Sequence, residues 1–226
     1  MLIAMKIAVF ARPLLAAFLL LLTVPAPPLH AQNPEPQRPT STPYAGDLSI
    51  FEYPDRDEKL EVQRVMDLLH LAPGRIVADI GAGSGWFSVR AARRVAPSGT
   101  VFAEDINPKA IEYIENRATK ENLQNIHGIL GSPDDPKLPP NSLDAVMMLK
   151  VYHEIARPVP FMQRLRLSLR PGARVGIIDR NGTGTDHGLQ QNILEHEMTE
   201  AGFKEIAHYD FTKKDGQDYF LIFEAK

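Results

Sequence analysis

The chain has 226 residues, 44% of them hydrophobic and 23% charged, with no cysteine and a formal net charge of −3. That length buries an ordinary core, and the weak acidic balance gives no sign of a polyanionic partner such as nucleic acid. Without cysteine the chain has no disulfide framework, no thiolate-held zinc, no iron–sulfur cluster and no thiol nucleophile.

The first predicted element is a leader. Lys6 and Arg12 precede the apolar run Leu14 to Val24, and no acidic residue occurs before Glu35, which is the order of a secretory signal. The run is short of the roughly 20 residues that span a bilayer. Pro25, Pro27 and Pro28 then break any helix, and Leu29-His30-Ala31 offers a cleavage point before Gln32. Residues 1–31 are therefore expected to be an export signal, which makes the protein periplasmic or secreted. The competing reading is an uncleaved anchor, the one membrane contact expected. Taking Lys6 and Arg12 from the 25 basic residues leaves 23 against 28 acidic ones, a net of −5. Residues 32–46 carry four prolines among polar residues. That composition reads as an extended tether, so the folded domain is expected over residues 47–226.

Beyond the tether, strands and helices alternate. Arg56 to Leu71 has apolar residues near helical spacing and stops at Ala72-Pro73-Gly74. A short strand, Arg75 to Ile80, runs into a glycine loop, and a helix follows over Trp86 to Val95. Thr100 to Ile106 is the second strand. Asn107-Pro108 then reads as an N-cap with proline at the first helical position, opening a helix to about Asn122. Ile126 to Leu130 and Leu143 to Leu149 are the third and fourth strands. A helix over Val159 to Leu169 is stopped by Arg170-Pro171-Gly172, a fifth strand covers Arg174 to Asp179, and a last helix covers Leu189 to Ala201. The tail supplies two strands, Phe203 to Phe211 and Asp218 to Ala225, around a Lys213-Lys214-Asp215-Gly216 turn. The expected fold is α/β: a Rossmann-like, doubly wound, seven-stranded sheet, mostly parallel, with an antiparallel C-terminal hairpin.

The loop Gly81-Ala82-Gly83-Ser84-Gly85 lets the backbone turn sharply and approach a ligand closely. The nicotinamide fingerprint needs glycine at position 86, where this chain has Trp86, and the ending of a phosphate-binding P-loop is missing as well. Asp79 at the end of the first strand suits a cationic group such as an α-amine. Asp105, 20 residues after Gly85, ends the second strand, where a carboxylate can accept both hydroxyls of a ribose. Together these features call for a nucleoside that carries an amino acid.

With these residues the stretch 58–224 resembles the cofactor-binding core of class I S-adenosylmethionine-dependent methyltransferases. The resemblance implies S-adenosyl-L-methionine as cofactor. It places Asp79 and Gly81 at the methionine end, Gly83 and Gly85 beneath the cofactor, Asp105 on the ribose and Ile106 against the adenine. Asp134, with Asp135 as second choice, stands where the family sets a polar residue beside the adenine amino group. Lys150-Val151-Tyr152-His153-Glu154 follows the fourth strand and forms the reaction edge, with Lys150 counted among the cofactor contacts. Val-Tyr-His followed by Arg157-Pro158 resembles an exported bacterial subgroup of small-molecule methyltransferases. His153 is the candidate catalytic residue, since imidazole can accept a proton near neutral pH. Asp179-Arg180 and His187 are weaker candidates. His70, His127, His196 and His208 show no mutual spacing that suggests metal.

Within that resemblance, the missing cysteine excludes cytosine carbon-5 and cysteine-dependent arsenite chemistry. The Asn/Asp-Pro-Pro-aromatic loop of amino-methylating DNA enzymes is absent after the fourth strand. Metal-dependent catechol-type enzymes place an acid where this chain has Lys150. The expectation is methyl transfer to a small molecule by direct in-line displacement without metal. A non-catalytic module binding a nucleoside or S-adenosylhomocysteine on the same fold is the alternative, and a nicotinamide oxidoreductase ranks third.

Overall fold

The computed structural model describes residues 37–226. The expected leader, residues 1–31, lies outside the described residues. Seven strands, β1 (Ile76–Ile80), β2 (Thr100–Asp105), β3 (Ile126–Leu130), β4 (Leu143–Leu149), β5 (Leu169–Asp179), β6 (Phe203–Tyr209) and β7 (Tyr219–Ala225), form one sheet in the order β3-β2-β1-β4-β5-β7-β6. The pairs among β1 to β5 are parallel, and β7 runs antiparallel to both β5 and β6.

The helices are α1 (Arg56–Lys59), α2 (Val62–Leu68), α3 (Trp86–Val95), α4 (Pro108–Lys120), α5 (Pro158–Arg166) and α6 (Gln191–Glu200). Strand periodicity sorts the core into two layers. Val77 of β1 with Phe220 and Ile222 of β7 packs on α2 and α3, whereas Ala78, Ile80, Leu221 and Phe223 pack on α5 and α6. Helix α4 lies against β2 and β3. Its start is as the sequence predicts, because Asn107 Oδ1 accepts from the Lys109 N–H at 3.0 Å and Pro108 sits in the first turn.

Four expectations need correction. The helix expected over 56–71 is broken at Leu60-Glu61, with Glu61 left-handed at φ 52°. In an unbroken helix Leu60 and Val62 would point about 200° apart; the break lets both bury. The helix expected up to Leu169 ends at Arg166, and β5 starts five residues before Arg174. Pro171-Gly172 is absorbed as an irregularity, since Leu143 pairs with Leu169 but Ala145 with Arg174, and Gly172 takes φ 74°. The turn between the last two strands is a 3-10 segment, Phe211–Asp215, which returns Asp215 to the protein interior. Finally, the tether is extended but docked over its described part. Arg38 donates to the carbonyls of Tyr152 and Ile155, each at 2.8 Å, and Ser41 is buried, so ordered packing starts before Asp47.

Candidate active site

The C-terminal ends of β1, β2, β4 and β5 open into a cavity of about 650 Å³. At its floor Gly81 and Gly83 have φ of 64° and 56°, a region that side chains disfavour, while Gly85, at φ 70°, caps α3 against Ile114 and does not line the cavity. A methyl group at Gly81 would also run into the Val151 side chain, while at Gly83 the nearest atom is Phe51 Cδ2 at 3.5 Å. The loop is thus a bare backbone surface facing the cavity.

Asp79 lies below this loop, 2% exposed, and accepts from the Ser88 hydroxyl at 2.6 Å. Burial pushes its carboxyl up to about 7, against the lowering effect of Ser88 and Arg56. Arg56 is buried over the Trp86 ring, 4.2 Å from the centroid, and donates to the Phe51 carbonyl at 2.6 Å. Lys150 lines the same end, its pKa lowered by burial and by Arg56. Tyr53 donates to Asp215, which also lines the cavity, although Asp215 reads in the sequence as a plain turn residue.

Asp105 stands at the rim of the loop. Its Oδ2 accepts from the Gly83 N–H at 2.9 Å and its Oδ1 from the Asn107 N–H at 2.8 Å. Each oxygen keeps a lone pair for a further donor. Ile106 lines the cavity and is 41% exposed, an apolar surface free to take a base. Glu104 also lines the cavity, with no signal in the sequence to mark it. Its carboxyl is buried and pushed up to about 8 by burial and by Asp105, and its Oε1 has no partner.

Asp134 is not where the sequence places it. Its carboxylate pairs with Arg157, with Nε at 2.7 Å, and it does not line the cavity; Ser132 and Pro133 stand there instead. Asp135 is spent on its own turn, accepting from the Lys137 N–H at 2.8 Å. An acid beside a free guanidinium 23 residues on is taken by it, and nothing local in the sequence announces that pairing.

At the far end His153 is 2% exposed. Its Nδ1 lies 2.8 Å from Asp179 Oδ2 and 3.0 Å from Oδ1. Asp179 also accepts from the His153 and Arg180 N–H groups, at 3.3 and 2.9 Å, and is fixed by them. The Nδ1–H therefore donates to the Asp179 carboxylate, which leaves Nε2 with a lone pair that has no partner. Glu154 Oε1 is 3.9 Å from both His153 Nε2 and His187 Nδ1, and burial pushes the Glu154 carboxyl up to about 7. The roof over the cavity comes from the docked N-terminal segment, through Tyr44, Leu48 and Phe51.

This donor set fits the cofactor that the glycine loop suggests: an anionic end for an ammonium, cations for a carboxylate, and a carboxylate with free lone pairs for ribose hydroxyls. Comparisons with known proteins agree. Residues 71–224 match the family described as "Methyltransferase domain". The chain is 31% identical over 118 residues to nocamycin O-methyltransferase of Saccharothrix syringae, covering 51% of this chain and 41% of that protein. It is 28% identical over 145 residues to protein-L-isoaspartate O-methyltransferase of Pyrococcus horikoshii, covering 64% and 60%. The match thus spans about half the length of these relatives. Among solved structures, a SAM-dependent methyltransferase from Aquifex aeolicus superposes with a TM-score of 0.69 at 22% identity, over 80% of this chain and 98% of that one. By sequence match and by fold alike, the chain belongs to the methyltransferase-domain family, on its class I S-adenosylmethionine-dependent fold.

Proposed function

We propose that the chain is a methyltransferase that uses S-adenosyl-L-methionine to methylate a small molecule. One observation carries the reading: a single roofed cavity joins two left-handed glycines, Gly81 and Gly83, flanked by Asp79 and Asp105, to the unpartnered lone pair of His153. In this reading Asp79 holds the α-ammonium group, and Lys150 and Arg56 balance the carboxylate. Gly81 and Gly83 run beneath the nucleoside, Asp105 takes the ribose hydroxyls, and Ile106 packs on the base. When bound, the cofactor supplies a methyl group on a positively charged sulfur, open to displacement in line. The chain's part is to align the two partners and exclude water under Tyr44, Leu48 and Phe51. Alignment of this kind is worth on the order of 7–11 kcal/mol of barrier in ideal intramolecular cases. His153 is the residue through which the chain acts on the acceptor.

Titration calorimetry of the folded protein tests the cofactor. Heat is expected with S-adenosylmethionine and S-adenosylhomocysteine and none with NAD. Asp105→Ala should weaken both by about tenfold or more, the worth of a charge-assisted hydrogen bond. No heat with either ligand would refute the reading, and binding without transfer to any acceptor would favour the non-catalytic alternative. We also infer that residues 1–31 are an export leader, supported by the order of Lys6, Arg12 and the run Leu14 to Val24. The mass of the chain recovered from the native host should then begin at Gln32; an intact Met1 would oppose cleavage.

A further inference from the structure

His153, Glu154 and His187 each offer one ligand atom, and the three atoms lie within 4.8 Å of one another. We propose that they form a site for a divalent first-row transition ion of the zinc class at the acceptor end of the cavity. The inference rests on the methyltransferase reading for its role but not for its chemistry.

The first support is the buried Nε2 of His153, which has no hydrogen-bond partner and points at Glu154. A buried polar atom left unmatched is destabilising, and a metal bond is one way to satisfy it. The second is the Asp179 carboxylate on the opposite ring nitrogen, at 2.8 Å. Metal-bound histidines commonly donate their other N–H to a carboxylate, which fixes the tautomer and makes the ring more basic. The third is the donor set. Two imidazoles and one carboxylate suit zinc and its neighbours, whereas calcium and magnesium call for oxygen ligands throughout.

Bonds of about 2.0–2.2 Å in a tetrahedral site put ligands roughly 3.3–3.5 Å apart. The two pairs that include Glu154 stand at 3.9 Å and all three atoms lie within 4.8 Å of one another, so the site closes by a contraction of about half an ångström at Glu154 and about 1 Å or less between the two imidazoles. Two side chains can supply it: the Glu154 carboxylate, which can turn toward the His153 ring that Asp179 fixes, and His187, whose side chain is 62% exposed. Its loop is aimed by the docked segment: Ser41 Oγ accepts from the His187 N–H at 2.7 Å and donates to the Gly184 carbonyl at 2.9 Å. Three protein ligands leave a fourth position facing the cavity, as in catalytic zinc sites. An acceptor oxygen or nitrogen bound there would have its pKa lowered by the ion, so His153 acts as a ligand and Asp179 as its positioning residue. This revises the expectation of a metal-free reaction. Lys150 does occupy the position where other enzymes keep an acid, but the ligands come from other places, 34 residues apart in the chain.

Tag-free protein, dialysed against a chelator, should bind one equivalent of Zn²⁺ in calorimetry. With Co²⁺ it should give the visible absorption of a four- or five-coordinate ion. Glu154→Gln and His187→Ala should each weaken Zn²⁺ at least about tenfold, and Asp179→Asn about 10–100-fold. His187 is exposed, so its variant folds whatever happens at the buried positions. Absence of stoichiometric Zn²⁺ binding, or binding that neither Glu154→Gln nor His187→Ala weakens, overturns the site. S-adenosylhomocysteine binding is measured on the same samples, so a protein that binds it but not Zn²⁺ refutes the metal site alone. One that binds Zn²⁺ but no nucleoside supports the site and refutes the cofactor reading.

Discussion

At the scale of single residues, the Asp79 carboxyl has the clearest consequence. Burial raises it to about 7, with Ser88, Arg56 and Asp105 as the polar groups acting on it. Only the ionised form pairs with an ammonium group, so below pH 7 binding must first expel a proton. Affinity for S-adenosylmethionine should therefore rise with pH, by about tenfold between pH 6 and 8, and level off above. Asp79→Asn should bind more weakly and lose the slope; an Asn variant that keeps it would place the titrating group elsewhere. The placement of Asp79, the three glycines and Asp105 is legible in the sequence because it is local, set by two neighbouring strands and the loop between them. That of Asp134 is not, because Arg157 decides where its carboxylate goes. Those of Asp215 and Glu104 are not either: one sits in what reads as a surface turn, the other in a strand position that gives no sign of facing the loop.

At the scale of elements, chain boundaries followed local signals where those signals acted alone. Asn107-Pro108 opens α4, and the glycine at position 85 opens α3 as a left-handed cap. They failed where packing overrode them. Arg170-Pro171-Gly172 reads as a helix stop, yet β4 pairs across it and turns it into an irregularity in β5. The proline-rich segment reads as a tether because it has few apolar residues of its own. Its docking depends on partners more than 100 residues away, the carbonyls of Tyr152 and Ile155 for Arg38 and of Gly184 for Ser41. Arg38 also lies 3.5 Å from Glu197 of α6, so one guanidinium ties the segment to two elements that flank the acceptor end. Composition describes what a segment can do by itself, and here the segment is completed by the domain beneath it.

At the scale of the molecule, the sheet separates stability from chemistry. Parallel strands place every candidate site residue from β1, β2, β4 and β5 at one edge, and the break in strand order between β1 and β4 opens the crevice there. The alternation of strands and helices made this edge legible; the pairing of His153 with Asp179 across it needed the adjacency of β4 and β5. The opposite edge carries core packing and the ion pairs of Asp144 with Arg75 and Arg170. Phe203, fully buried at the start of β6, pairs with Ala225 near the end of β7, at the end of the sheet away from the cavity. Phe203→Ala should cost about 3–5 kcal/mol, a large share of the roughly 5–15 kcal/mol that holds a domain of this kind. Urea unfolding should show the midpoint falling with the slope unchanged. The fraction that stays folded should bind S-adenosylhomocysteine within about twofold of the parent, because sites without shared contacts act nearly independently. A drop in affinity that tracks the lost stability would mean that the far edge of the sheet helps to shape the cavity, and that the two ends of the strands are not separable.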